Sequence, residues 1–216
     1  MNFFIKKNEA FFWPYLAFLI LFLPVILFIP KGEFHIFLNT HHCIFGDYFF
    51  RMITSLGDGL VPVILALLFI FISLRKAFIL AGSGVLAGII AQVFKRLVFS
   101  QIVRPVKFFE SSYDLYLVEG VDMHSSFSFP SGHSATIFAL CLSLVYFVRK
   151  DIYKFLLFIL ALVVAMSRVY LSQHFFTDIY AGSVLGIFSA MIIYTYLEKI
   201  DNSWIDKNIV SVFKKP

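Results

Sequence analysis

The sequence predicts an all-α, polytopic membrane fold of six transmembrane helices, and three observations carry that prediction. Of the 216 residues, 60% are hydrophobic and only 14% are charged, whereas soluble domains run at roughly 45–50% apolar and about 25% charged. Aromatic residues make up 19% of the chain, including 29 Phe, and mean hydropathy is +0.88; such a surface suits lipid better than water. The apolar residues also gather into runs near 11–30, 60–74, 77–94, 129–148, 153–171 and 179–197. Within these runs they cover all helical faces rather than one stripe, which argues against a soluble bundle. The length fits a single domain: a core from about 56 to 197, a first span and outer loop in 1–55, and a short basic tail in 198–216.

Each run is weighed against the roughly 20 residues that a helix needs to cross a bilayer core of about 30 Å. The first run follows Lys6 and Lys7, as a secretory signal would, but it is long, ends near Pro24 and Pro30, and lacks a small-residue cleavage site. It is read as a retained span. The second is short alone, and Gly57 to Gly59 extend it. The third carries Gly82, Gly84 and Gly88, and the sixth carries Gly182 and Gly186. Small residues at such spacing let helices approach closely, so both sets are read as packing positions within a monomer, with a dimer through one of these faces as the alternative. The connection from 95 to 128 is the longest between neighbouring spans; it bears Glu110, Asp114, Glu119, Asp122 and His124 and is expected to fold over a ligand. Cys43 and Cys141 fall at different depths, so no disulfide is expected. His35, His41 and His42 lack metal-ligand spacing, and no metal is assigned.

The formal net charge is +5 and the pI about 9.2. No basic stripe interrupts the apolar pattern, so nucleic-acid binding is excluded. The charge is read instead as topology. With the N-terminus inside, the cytoplasmic segments hold eleven Lys and Arg, from Lys6 to Lys215, and the outer segments hold seven: Lys31, Arg51, Lys95, Arg96, Arg104, Lys107 and Arg168. The positive-inside bias therefore puts both termini in the cytoplasm. The segments around Arg104, His133 and His174 then share the outer face.

Charge among apolar runs is expensive and marks a working site. Phe129-Pro130-Ser131-Gly132-His133 opens the fourth run. Pro130 favours the turn into a helix, Ser131 is placed to cap it or donate a hydroxyl, and Gly132 lets backbone approach a ligand. A helix start offers free N–H groups and a positive dipole end, a ready site for phosphate. His174 and Asp178 are four apart and share a helix face, so the carboxylate can hold one ring nitrogen and leave the other to attack. Arg168 and Arg104 supply guanidinium groups that grip phosphate oxygens in pairs. The rival readings are a capped helix that happens to hold a histidine and an Arg–Asp pair tying two helix ends.

Together these residues resemble the type 2 phosphatidic acid phosphatase family, membrane lipid phosphatases whose site is shared with vanadium haloperoxidases. The family pattern is Lys-x6-Arg-Pro, Pro-Ser-Gly-His and Ser-Arg-x5-His-x3-Asp. The second part is present as Pro130 to His133 and the third as Ser167, Arg168, His174 and Asp178. The turn Leu56-Gly57-Asp58-Gly59 is also similar, though less specific. The first part departs: Arg104-Pro105 is present, but the six-residue spacing falls on Leu97. Lys95, at x8, is preferred for the basic role over Arg96, at x7.

The resemblance implies a six-helix membrane phosphatase at the outer edge of the inner (plasma) membrane. His174 forms a phosphohistidine and Asp178 orients it. His133 protonates the leaving group and then activates water. Lys95, Arg104, Ser131, the Gly132 amide and Arg168 hold the phosphoryl oxygens, and no metal or other cofactor is required. The partners are membrane lipids and a lipid phosphate substrate from one of three classes: undecaprenyl diphosphate, phosphatidylglycerol phosphate or phosphatidate, and the phosphates of lipid A, with a lean toward lipid A or undecaprenyl diphosphate. Two rivals differ in class. A vanadate-dependent haloperoxidase shares the constellation, but its relatives are soluble. A transporter or channel leaves the Pro-Ser-Gly-His turn unexplained.

Overall fold

Eight helices carry the architecture of the chain: α1 (Glu9–Phe28), α2 (Lys31–Asn39), α3 (Ile44–Ile53), α4 (Leu60–Phe69), α5 (Leu74–Val93), α6 (Gly132–Val145), α7 (Asp151–Tyr170) and α8 (Phe176–Glu198). This computed structural model describes residues 2–213, with side chains over 5–212. Lys214 and Lys215, counted among the cytoplasmic cations, lie outside the described residues. No strand occurs among the described residues.

The all-α, multi-pass architecture stands, while the count of six crossings is met only in part. By length and composition α1, α5, α7 and α8 can each cross a membrane, and α3 with α4 makes a fifth crossing if the pair, bent by 60°, is taken as one. The fourth apolar run yields α6, only 14 residues long, which spans about 21 Å at 1.5 Å per residue. Residues 44–55, expected in the outer loop, are helical. Strong local apolarity marks a run but not the turn that bends it: Gly57 and Gly59 flank the break at Asp58, which sits in extended backbone.

The core lies around α6, whose residues Ser134 to Ser143 are all buried. Ala, Ser, Thr and Cys along it leave little bulk, so α5, α7 and α8 close on it from three sides. Its contact with α8 is closest at two glycines. A Cβ at Gly182 would lie 2.5 Å from the Ser131 carbonyl oxygen, and one at Gly186 would lie 2.3 Å from that of Ala135. The two helices therefore run parallel, backbone against backbone. Likewise Gly84 of α5 receives Pro62 of α4. Large exposed apolar residues, Ile20, Leu21, Leu27 and Phe28 on α1 and Leu67 and Leu68 on α4 among them, coat the outside, as lipid contact requires.

At one end of the bundle the C-terminal segment is tied down. The Leu74 amide donates to the Lys207 carbonyl at 3.0 Å and Ile209 donates to Ile70 at 2.8 Å. Arg75 binds Asp206 and the carbonyls of Leu197 and Ile200. Lys154 donates to the Lys7 carbonyl at the same end. The α6 and α8 starts, the α5 and α7 ends and the α3–α4 break all meet at the other end.

Candidate active site

That second end collects the chemistry. The segment 171–175 turns sharply between α7 and α8, with Ser172 at φ 51°, and delivers His174 to the start of α8. His174 Nδ1 lies 3.2 Å from Asp178 Oδ2, and both side chains are buried. The carboxylate is itself held: Ser128 Oγ donates to it at 2.5 Å and the Phe175 amide at 3.0 Å. With Nδ1 engaged, Nε2 is the free nitrogen. Burial, then the charges of Arg104, Lys95 and Arg168, push the His174 imidazole well below its usual range. Its neutral form, the nucleophilic one, therefore persists at neutral pH.

Ser131 caps α6, accepting from the Ser134 amide at 3.3 Å and from Ser134 Oγ at 3.1 Å. These bonds occupy its lone pairs and leave its O–H to donate. The Ser131 amide donates to the Asp178 carbonyl at 2.9 Å, which stitches the two motifs together. Gly132 is the first residue of α6, where amides lack intrahelical partners. His133 faces the break between α3 and α4, with Nε2 3.1 Å from Asp58 Oδ1.

Three cations surround these groups. Arg168, at the end of α7, donates from Nη1 to Thr54 Oγ1 at 2.7 Å, while its buried Nε has no partner among the described residues. Arg104 is fixed by the Ser126 carbonyl at 2.9 Å and by the carbonyl and Oε1 of Gln173 at 3.2 and 3.1 Å. Lys95 lies in a π-helical turn, Phe94–Val98, that ends α5. The widened turn absorbs residues that the family spacing does not have. It buries Lys95 to 6% exposure and leaves Arg96 exposed. Lys95, Arg96 and Arg104 share a cavity of about 330 Å³ with Gln92, His124, Ser125, Ser126 and Phe127. Among the described residues Lys95, Arg104 and Arg168 have no ion-pair partner; burying such cations is costly, and a phosphate group fits the donor set they present.

The 95–128 connection does cross this end of the molecule. Arg104 and Ser128 amides bond to the carbonyls of Ser125 and Ile102, and Gln173 Nε2 holds the Asp122 carbonyl at 3.1 Å. His41 and His42 are occupied elsewhere: His42 bridges the carbonyls of Asn39 and Tyr170, at 2.7 and 2.9 Å, and His41 caps Phe37. Thr54, Asp58, Ser128 and Gln173 join the site without being among the predicted site residues. Asp58 belongs to the Leu56-Gly57-Asp58-Gly59 turn, and Gln173 adjoins His174. Thr54 and Ser128 carry no local signal at all.

A family model described as the PAP2 superfamily matches residues 76–201. Phosphatidylglycerophosphatase B of Bacillus subtilis (strain 168) is 39% identical over 85 residues, 35% of this chain and 42% of that protein, so the match spans less than half of that relative. Lipid A 4'-phosphatase of Bacteroides thetaiotaomicron is 26% identical over 172 residues, 76% of each chain. The crystal structure of Aquifex aeolicus LpxE superposes with a TM-score of 0.66 at 26% identity, over 76% of this chain and 94% of that one. The crystal structure of the first transmembrane PAP2 type phosphatidylglycerolphosphate phosphatase from Bacillus subtilis gives 0.61 at 23% identity, over 91% and 98%. At that identity the second likeness speaks for the fold alone.

Proposed function

Because this chain belongs to the PAP2 superfamily, we propose that it is an integral membrane lipid phosphatase working through a phosphohistidine. The observation that carries the reading is the convergence of Lys95, Arg104 and Arg168 on two histidines, one of them held by a buried carboxylate. His174 attacks phosphorus through Nε2, and Asp178 stabilises the imidazolium that forms. His133 gives a proton to the leaving oxygen and takes one back from water in the second half-reaction. The three cations, the Ser131 hydroxyl and the Gly132 amide hold the equatorial oxygens and offset the charge that develops there. In this scheme fixed cations do what magnesium does in other phosphoryl-transfer sites.

Counting α3–α4 as one bent crossing and α6 as a short one gives six crossings, both termini in the cytoplasm and the site on the outer side of the inner membrane. An amphiphilic substrate suits this arrangement. An apolar groove of about 430 Å³, lined by Gly59, Gly84, Val85, Gly88, Ile89, Val93 and Thr136, shares Gln92 with the cationic cavity; a lipid tail lies there while its phosphate reaches the cations. The named relatives favour phosphate monoesters of envelope lipids, either lipid A or phosphatidylglycerol phosphate, with undecaprenyl diphosphate as the third class.

The test is phosphate release by the purified protein in detergent, with EDTA present, from a panel of the three lipid classes. Release is expected from at least one. His174→Ala and His133→Ala are each expected to lose more than about 100-fold in kcat/KM. Full activity of His174→Ala would sink the mechanism. Bromination with added vanadate, or ion flux without phosphate release, would favour the rival classes.

A further inference from the structure

The break between α3 and α4 reaches into the site at three points. Thr54 Oγ1 accepts from Arg168 Nη1 at 2.7 Å. Gly57 packs on His133 so closely that a Cβ there would lie 3.1 Å from both Cβ and Cδ2 of the ring residue. Asp58 Oδ1 lies 3.1 Å from His133 Nε2. A bend that merely redirected a helix would not need to place a hydroxyl, a missing side chain and a carboxylate against two residues of the site.

We propose that Asp58 is a positioning residue that holds His133 for proton transfer. The two groups stand at ion-pair distance, and a small turn of the ring lets the carboxylate accept the Nε2 proton, which fixes the ring's tautomer and plane and leaves Nδ1 as the working nitrogen. The proposal rests on the reading of His133 as the acid of a lipid phosphatase. As His174 bonds to phosphorus and the ester P–O bond breaks, the proton on Nδ1 passes to the ester oxygen and the lipid leaves as a neutral alcohol. Water then adds to the phosphohistidine, its proton returns to Nδ1, and inorganic phosphate departs with His174 restored.

The surroundings of the ring give Asp58 its importance. The charged and titratable groups that act on His133 are Arg168 from α7, Lys95 from the end of α5, Arg104 from the long connection and His174 from the turn before α8. Three of these are cations, so the ring sits in a positive surrounding. Asp58 is the anion in contact with it. The site thus contains two carboxylate–histidine pairs with different exposure. The Asp178 side chain is 2% exposed and serves the nucleophile, while that of Asp58 is 54% exposed and serves the side from which the alcohol leaves.

Leaving-group dependence separates this role from a structural one. An alkyl ester needs a proton on its departing oxygen, whereas 4-nitrophenyl phosphate loses a stable phenolate without one. For the full chain in detergent, kcat/KM is measured on dioctanoylglycerol phosphate and on 4-nitrophenyl phosphate, because that parameter reports the first phosphoryl transfer. Asp58→Asn is expected to lose about 10- to 100-fold on the lipid ester and much less on the aryl ester, shifting the ratio at least about tenfold. Asp58→Glu is expected to recover part of the ratio. An equal loss on both esters, or no loss on either, overturns the assignment even with the wild type active. If the wild type spares dioctanoylglycerol phosphate, the alkyl phosphate it does cleave among the three lipid classes takes its place; a wild type that releases phosphate from none of them overturns the phosphatase reading, and the Asp58 role with it. Should Asp58→Asn not fold, Asp58→Ser and Asp58→Glu carry the same comparison.

Discussion

At the scale of single residues, the proposed chemistry separates groups that react from groups that hold them. Gln173 does the second job twice: its Oε1 accepts from Arg104 and its Nε2 donates to the Asp122 carbonyl. Gln173→Ala is expected to release both the guanidinium and the loop, and to lower kcat/KM by about tenfold, a loss of about 1.4 kcal/mol in transition-state binding. His35 tests the same support from the other side. Its ring is 1% exposed, bonded to Ser172 Oγ at 3.2 Å, and burial pushes its pKa down to about 4. The unfolded chain therefore binds a proton between the ordinary value of about 6.5 and about 4 that the folded chain does not. Stability is complete above that window and falls as pH drops through it, by up to about 3 kcal/mol. The unfolding temperature in detergent should drop between about pH 7 and about pH 5, and His35→Gln should flatten that drop. A wild type equally stable at both pH values contradicts this account. The side chains with fixed spacing, His133, Arg168, His174 and Asp178, were legible in the sequence because motif residues sit close along the chain. Thr54 and Ser128 were not, since each meets its partner only after about 114 or 50 positions have been folded back.

Elements were legible to the extent that one helix explains one apolar run. The first, fifth and sixth runs became α1, α7 and α8 with small shifts. The second did not, because its amphiphilic partner 44–57 carries Asp47 and Arg51 and reads as a loop until it packs on α7. The glycines separate function from mere permissiveness. Gly186→Ala places a Cβ 2.3 Å from backbone, which a side-chain rotation cannot relieve, while Gly88→Ala meets nothing within 4 Å. The first is expected to destabilise by about 1–3 kcal/mol and to weaken activity by separating Ser131 from Asp178. The second is expected to leave stability within about 0.5 kcal/mol. Thermal unfolding of the two purified variants decides it, and equal midpoints would refute the close parallel contact. Gly57→Ala, with its Cβ 3.1 Å from His133, is expected to cost activity rather than stability, since the ring at the surface of the break can shift.

For the whole molecule, the alternation of helix direction does what no single segment can. The helices bring the starts of α6 and α8, the ends of α5 and α7, and the α3–α4 break to one end, and they send Arg75, Lys154 and the C-terminal segment to the other. A reporter fused near Val118 should report from outside the cytoplasm; a cytoplasmic signal there overturns the proposed topology. At this scale the apolar runs make an all-α, multi-pass chain legible, because they are a global pattern that survives local error. The depth of α6 escaped it, since 14 residues flanked by apolar turns look like 20.

One consequence follows from three buried cations gathered around a single buried carboxylate. Without an anion, that end of the bundle pushes against itself; on the chemistry proposed, a phosphate relieves the repulsion and so acts as a missing part of the fold as much as a ligand. Inorganic phosphate keeps every oxygen the cations recognise after the lipid has gone. Added phosphate should therefore raise the unfolding temperature and slow turnover in competition with lipid. On the chemistry proposed, the reaction leaves behind its own brake, and the rate at which the site lets go of phosphate sets how fast it can begin again.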